Sequence, residues 1–350
     1  MTIESLASII RDAAARGTRL RIRGGGTKDF YGGRLEGEIL DARSYSGIVD
    51  YEPAELVITA RSGTPLADIE AAMRERRQML AFEPPRFASG GTIGGAIAAG
   101  LSGPRRAYAG AARDFVLGVR LLDGKGNDLR FGGAVMKNVA GYDVSRLMAG
   151  ALGTLGMVTE VSLKALPLPP MEITLRQERS QGEAIALIND WAGKPLPITA
   201  TSHFANELRV RLSGAESAVR AARARLGGEE LADNGADYWA QLRDHTFDFL
   251  KATPLWRLSV KPTTPPLELP GVQLIEWGGA LRWLAGDYDA AVVRNTAARA
   301  GGHATLFRGG DKQAGVFQPL SAALMTVHRR LKDAFDPQGI FNRGRMYAEW

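Results

Sequence analysis

Three clusters of glycine, at residues 24–26, 90–95 and 150–156, constrain this chain more than any other feature. The first lies in "RIRGGGTKDFYGG", Arg21 to Gly33, just after "TRLRIR". There Leu20 and Ile22 alternate with Arg19, Arg21 and Arg23, the period of a half-buried strand. The second, "GGTIGG" from Gly90 to Gly95, runs directly into the small-residue helix pattern "AIAAG". Glycine is required where φ is positive or where another group must approach the backbone without meeting a Cβ. Two uses follow: tight strand-to-loop turns, or a nest of backbone N–H groups for an anion, aided by a helix N-terminus. A Rossmann fingerprint fails, because the sixth position from Gly24 is Asp29. A Walker loop fails, because Gly124-Lys125 is followed by Gly126. Three clusters in one strand-and-helix-rich half nevertheless point to two loops clasping the phosphates of a dinucleotide, with plain turns as the alternative.

Around these clusters the pattern is mixed. Ile3, Leu6, Ile9, Ile10 and Ala13 fall on one helical face that ends at Gly17. Short strands are predicted around Ile39 and over residues 55–63, then a helix over "TPLADIEAAMRERR" with Thr64 as N-cap and Pro65 as its first residue. Asp123-Gly124-Lys125-Gly126 reads as a hairpin turn, and a strand follows over residues 157–166. Pro167, Pro169 and Pro170 mark a boundary. Beyond it, hairpins, single strands and helices, among them "YDAAVVRNTAARAGG" and the strand "HATLF", suit an antiparallel α+β domain, with a split-βαβ arrangement as one form of it. The tail reads as a helix, a turn at residues 336–339 and an extended end. The expected division is 1–168, 169–325 and 326–350.

The chain of 350 residues contains no cysteine, which excludes disulfides, thiolate catalysis and cysteine-ligated iron–sulfur clusters on it. Its 44 basic and 38 acidic residues give a net charge of +6, without the Lys/Arg runs of a nucleic-acid tail. No nucleic-acid partner is expected, and a mild positive field suits an anionic ligand or acidic partner. No signal-peptide pattern or membrane-spanning stretch is read, so a cytoplasmic location is expected.

"RIRGGGTKDF", "GGTIGG", "KNVAGYDVSRLMAGALGTLGMVTEV" and "FDPQGIFNRGRM" resemble the para-cresol methylhydroxylase/vanillyl-alcohol oxidase flavoprotein family. Within it they resemble the FAD-binding subunits of bacterial three-subunit glycolate oxidases. The resemblance covers nearly the whole chain and is strongest over residues 18–166 and the last twenty. It implies an α+β protein: an FAD domain of two subdomains, a smaller antiparallel α+β cap, and a C-terminal segment returning to the FAD domain. By the same resemblance, Arg23, Gly24, Gly25, Gly26, Thr27 and Lys28 form one pyrophosphate loop. Ser89, Gly90, Gly91, Thr92, Ile93, Gly94 and Gly95 form the other. Asn138, Gly141, Tyr142 and Asp143 lie near the flavin or ribityl chain, and Gly153, Gly156, Met157 and Val158 hold adenine or flavin edges.

Oxidising a 2-hydroxy acid needs a cation for the carboxylate and a base for the hydroxyl. Only four histidines exist, His203, His245, His303 and His328, and none is in the FAD half. His303, followed closely by Arg308, is the best of them, although a structural histidine is the alternative. Related dehydrogenases carry a histidine-rich metal site, and no two histidines here have ligand spacing. That favours an electron-relaying role beside a catalytic flavin subunit and an iron–sulfur subunit, with noncovalent FAD and only peripheral membrane contact through partners. A chain that oxidises glycolate itself, and an FAD-free structural subunit, are the competing readings.

Overall fold

The computed structural model describes residues 1–133 and 142–348, and the chain forms two units. The first comprises Met1–Leu101, Ala111–Pro167 and Pro319–Trp350, and the second Ser102–Gly110 and Leu168–Gln318.

The first unit opens with a helix, Ile3–Arg16, capped by the Thr2 side chain and closed by Gly17 in the left-handed region, as the glycine there predicts. Its apolar stripe buries Leu6, Ile10 and Ala13 against Leu20, Leu40, Leu122, Met157, Ile340 and Phe341. Each such leucine or isoleucine contributes about 1.5–3 kcal/mol of transfer free energy. Strands β1 (Leu20–Arg23) and β2 (Glu38–Asp41) pair in parallel. A five-stranded antiparallel sheet follows from β3 (Ile48–Glu52), β4 (Val57–Arg61), β6 (Val116–Leu122), β7 (Asp128–Gly132) and β8 (Met157–Lys164), in the order β3-β4-β8-β6-β7. Strand β5 (Gln78–Met79) pairs with β9 (Leu166–Pro167). The β6–β7 turn is built by Asp123, whose carboxylate accepts the Lys125 and Asn127 amides at 2.9 and 2.8 Å. The helix expected from Thr64 runs Leu66–Glu75. Thr64 does not cap it: its hydroxyl donates to the Arg61 and Gly47 carbonyls instead, so the helix starts on Pro65 without a side-chain cap.

The C-terminal segment belongs to this unit. Leu20 donates to the Ile340 carbonyl at 2.7 Å and Asn342 to the Leu20 carbonyl at 2.9 Å, so the tail runs beside β1. It is pinned by Lys332 on the helix Ala322–Phe335. The buried Lys332 ammonium donates to Thr154 O (2.6 Å), Asp336 Oδ2 (2.6 Å) and Phe341 O (3.1 Å). Burial lowers its pKa, and the Asp336 carboxylate opposes that.

The second unit is an eight-stranded antiparallel sheet from β10 (Met171–Glu178), β11 (Ile198–Phe204), β12 (Glu207–Gly214), β13 (Glu229–Glu230), β14 (Leu255–Ser259), β15 (Gln273–Glu276), β16 (Leu281–Ala285) and β17 (His303–Arg308). Their order is β13-β10-β12-β11-β15-β16-β14-β17. The helices Gln181–Ala192 and Glu216–Leu226 bury Ile188, Trp191, Val219 and Ala222 on one half of it, and Ala290–Arg299 buries Val293 and Ala297 on the other. Residues 102–110 join this unit through Arg105, a buried guanidinium that donates to Ser213 Oγ at 2.9 Å and to Glu172 at 2.7 Å. Among the described residues no helix is long and apolar enough to cross a membrane.

Candidate functional site

The first unit holds an open cleft, and the glycine clusters converge on it. Strand β1 ends at Arg23, and the chain then runs through Gly24, Gly25, Gly26, Thr27 and Lys28 along one wall, all six lining the cleft. The backbone amides of Gly24, Gly25, Gly26 and Thr27 donate to no group of the chain among the described residues. Four successive unspent amides at a cleft wall form an anion-binding concavity.

The second cluster divides. Thr92, Gly94 and Gly95 line the cleft, while Ser89, Gly90, Gly91 and Ile93 do not. The amides of Ile93, Gly94 and Gly95 are already spent, on Thr64 O (3.0 Å), Ser62 O (2.9 Å) and Thr92 Oγ1 (3.3 Å). The helix they open, Ile93–Ala99, has only seven residues. This cluster therefore shapes the cleft more than it offers donors. Gly25 shows how: a Cβ built there would lie 1.7 Å from the Gly90 carbonyl oxygen. The first two clusters pack backbone against backbone.

From the third cluster Gly153, Gly156 and Val158 line the cleft, whereas Met157 points into the core. Tyr142 is 97% exposed, and Asp143 caps the short helix Val144–Leu147 through the Arg146 amide. Neither lines the cleft. Asn138 and Gly141 lie outside the described residues.

Charge in the cleft is lopsided. Arg21, Arg23, Lys28, Arg34 and Arg345 line it against two carboxylates, Asp29 and Glu36. Asp29 pairs with both Arg21 and Arg23 and so gathers them beside the unspent amides. Arg345 is buried, which pulls its pKa down to about 10 against the opposing charge of Asp29, so it stays cationic at neutral pH. Much of the remaining wall is apolar: Ile22, Ala98, Ala99, Met148, Leu152 and Leu155 are among it. An excess of cations with free amides suits a diphosphate, and apolar side chains suit a planar ring system. The residues present thus fit FAD.

Several lining residues carried no local signal in the sequence. Asn342 and Arg345 reach the cleft from more than three hundred residues away, and Ser62 and Ala42 directly follow β4 and β2. Only the terminal "FNRGRM" of the resemblance pointed towards the first two.

The histidines lie elsewhere. His203 Nε2 donates to the Arg179 carbonyl at 2.9 Å, and burial lowers its pKa. His245 is buried, stacked on Phe307 with centroids 5.0 Å apart, and burial pushes its pKa well down. His303 is the first residue of β17 and Arg308 the last. At ~3.3 Å per residue that separates them by roughly 16 Å. Arg308 donates to the Leu250 carbonyl at 2.6 Å. His303 and Arg308, the catalytic candidates read from the sequence, stand at opposite ends of one strand and do not form one site. His328 lies on the helix Ala322–Phe335, in the first unit but outside the cleft lining. No group of three or more His, Cys, Asp or Glu among the described residues is arranged to hold a metal ion.

Comparison with known proteins agrees with this geometry. Residues 1–132 match a family model described as an FAD binding domain. The chain is 50% identical over 347 residues to glycolate oxidase subunit GlcE of Escherichia coli (strain K12), covering 99% of this chain and 97% of that protein. A shorter match, 35% identical over 156 residues, links 44% of this chain to 33% of glycolate oxidase subunit GlcD of Bacillus subtilis (strain 168). Among solved structures, p-cresol methylhydroxylase with substrate bound superposes on 100% of this chain and 88% of its own, with a TM-score of 0.74 at 14% identity, and so shares the fold. Free amides beside a cationic cleft, an FAD-binding family match and end-to-end similarity agree: the chain belongs to the GlcE family of FAD-binding oxidoreductase subunits.

Proposed function

We propose that this chain holds FAD noncovalently in the cleft of its first unit, as one subunit of a glycolate (2-hydroxy-acid) dehydrogenase assembly. In it, electrons pass from a catalytic flavin subunit toward an iron–sulfur subunit and a quinone. The observation that carries the cofactor site is the run of four unspent amides, Gly24 to Thr27, in a cleft with an excess of cations. Arg23 to Lys28 would hold the diphosphate, Arg21 and Arg345 would add charge, and Thr92, Gly94, Gly95, Gly153, Gly156 and Val158 would bound the rings and ribityl chain. Bound FAD supplies the redox chemistry, while the chain binds it, orients it and limits its contact with water. Noncovalent attachment is supported by the lack of cysteine and by a described cleft lining that contains neither histidine nor tyrosine.

The relay role is supported by the similarity to a protein named as a glycolate oxidase subunit, and by four histidines of which two are packed structurally and none lines the cleft. A chain without cysteine cannot ligate an iron–sulfur cluster through thiolates, so the cluster belongs to a partner. Membrane contact, on this reading, is peripheral and made by partners, with the subunit on the cytoplasmic side. The test is to purify the chain alone and with its co-expressed partners, and to follow glycolate-dependent dye reduction by each. The lone chain should show little turnover and the assembly full turnover. Full turnover by the lone chain would make it the catalytic subunit.

A further inference from the structure

Glycines 32 and 33 close the stretch that opened the sequence argument, and the phosphate reading does not use them. A Cβ on Gly33 would lie 2.2 Å from the Gly344 carbonyl oxygen. The C-terminal tail passes there, with Gly33 donating to Arg345 O at 2.7 Å and Arg34 to Gly344 O at 3.2 Å. The Arg345 side chain, in a residue 6% exposed, donates to three carbonyls, Gly33 at 2.8 Å, Lys28 at 3.1 Å and Asp29 at 3.2 Å. One guanidinium thus grips both ends of the segment that follows the free amides. Its planar fork with five donors is suited to that task.

Asn342 makes the matching link. Its Oδ1 accepts the Ile22 amide at 2.8 Å, and its Nδ2 donates to the Leu152 carbonyl at 2.6 Å. Ile22 leads into the first glycine cluster and Leu152 sits in the third, and both line the cleft. Gly153, at φ +69°, has room only for hydrogen, because a Cβ there would lie 2.7 Å from Asn342 Nδ2. Ile340 and Phe341 are buried in the core of the unit, so the anchor of the tail is firm.

We propose that Asn342 and Arg345 are positioning residues for the cofactor: the C-terminal tail holds the first and third glycine clusters in their binding shape. Docking of the tail and binding of FAD then stabilise each other, since a coupling between two sites is reciprocal. This rests on the cleft being the FAD site. It adds that residues 340–346, which make no part of a glycine loop, set the affinity.

Hydrogen exchange on the full-length protein, with and without FAD, tests it. The Asn342 and Arg345 amides should exchange at least tenfold more slowly with FAD bound. Arg345→Lys keeps the charge and loses the fork, and Asn342→Asp keeps the acceptor but sets a carboxylate against the Leu152 carbonyl. Each should weaken FAD at least tenfold, with Arg345→Lys retaining more affinity than Arg345→Ala. FAD binding that leaves exchange in the tail unchanged, or wild-type affinity in both variants, overturns the inference and leaves the cleft assignment intact. A wild-type chain that binds no FAD overturns both. If the variants do not fold, the exchange measurement on the wild-type protein decides.

Discussion

Two glycines at the cleft separate packing from cofactor contact. Gly25→Ala sets a methyl group 1.7 Å from the Gly90 carbonyl oxygen and 2.6 Å from its carbon. Ordinary contact is ~3.5 Å or more, and neither atom belongs to a side chain that can rotate away, so the two loops must part. Overpacking costs roughly 1–3 kcal/mol, and a backbone collision belongs at the upper end. At about 2–4 °C per kcal/mol for a unit of this size class, the first unit of the apoprotein should melt roughly 6–12 °C lower. Gly95→Ala is the opposite case. Gly95 lies inside the helix Ile93–Ala99, and its new Cβ meets only Thr92 Oγ1, at 3.3 Å. In a helix that exchange stabilises by about 0.5–1 kcal/mol. Gly95 and Thr92 both line the cleft, so on the proposed reading the methyl group would occupy cofactor space. FAD should bind at least tenfold more weakly, a loss of about 1.4 kcal/mol. Thermal melts of the two apoproteins and titrations of each with FAD would measure this. A Gly95→Ala protein that binds FAD like the wild type would refute the assignment of that wall, and an undisturbed Gly25→Ala protein would refute the loop packing.

Other expectations are briefer. Lys332→Met removes the ammonium that serves Thr154 O, Phe341 O and Asp336, leaving a buried carboxylate without its cation. Breaking a buried pair in this way costs about 3–5 kcal/mol, which a urea melt of the apoprotein should show. His303→Ala should change glycolate turnover by the assembly less than twofold, since His303 stands at a strand end of the second unit, far from Arg308. A loss of activity in the reconstituted enzyme would return catalysis to this chain. His203 and His245 are held neutral by burial, with pKa values below the ordinary 6.5. As pH falls below about 6.5, the unfolded chain takes up protons that the fold does not, so stability is lost on acidification. Melting temperature should fall from pH 7 to pH 5, and by less in His203→Gln, where one of those groups is gone.

Local chemistry was legible wherever it was local. Gly17, the Asp123 turn and the alternation of Leu20 and Ile22 each specify their element within a few residues, and each forms as expected. The hairpin of β11 and β12 turns at Ala205 and Asn206, both at positive φ. Thr64 misled because its hydroxyl is taken up by the Arg61 carbonyl three residues back and the Gly47 carbonyl of a neighbouring loop, backbone competitors that the N-cap pattern does not display. The cleft was half legible. Its glycines announce close approach, but not what approaches: for Gly25 it is another loop, and for Gly33 it is the C-terminal backbone. Asn342 and Arg345 act on residues about 190 to 320 positions away, so periodicity and spacing could not reveal them.

The central claim is that the first unit holds FAD without a covalent bond. The most direct measurement is the visible spectrum of the purified full-length chain, followed by acid precipitation and identification of the released flavin. The account predicts a yellow protein with close to one flavin per chain, all of it in the supernatant and all of it FAD. A colourless protein that cannot be reconstituted with FAD, or flavin that stays in the pellet, would contradict it.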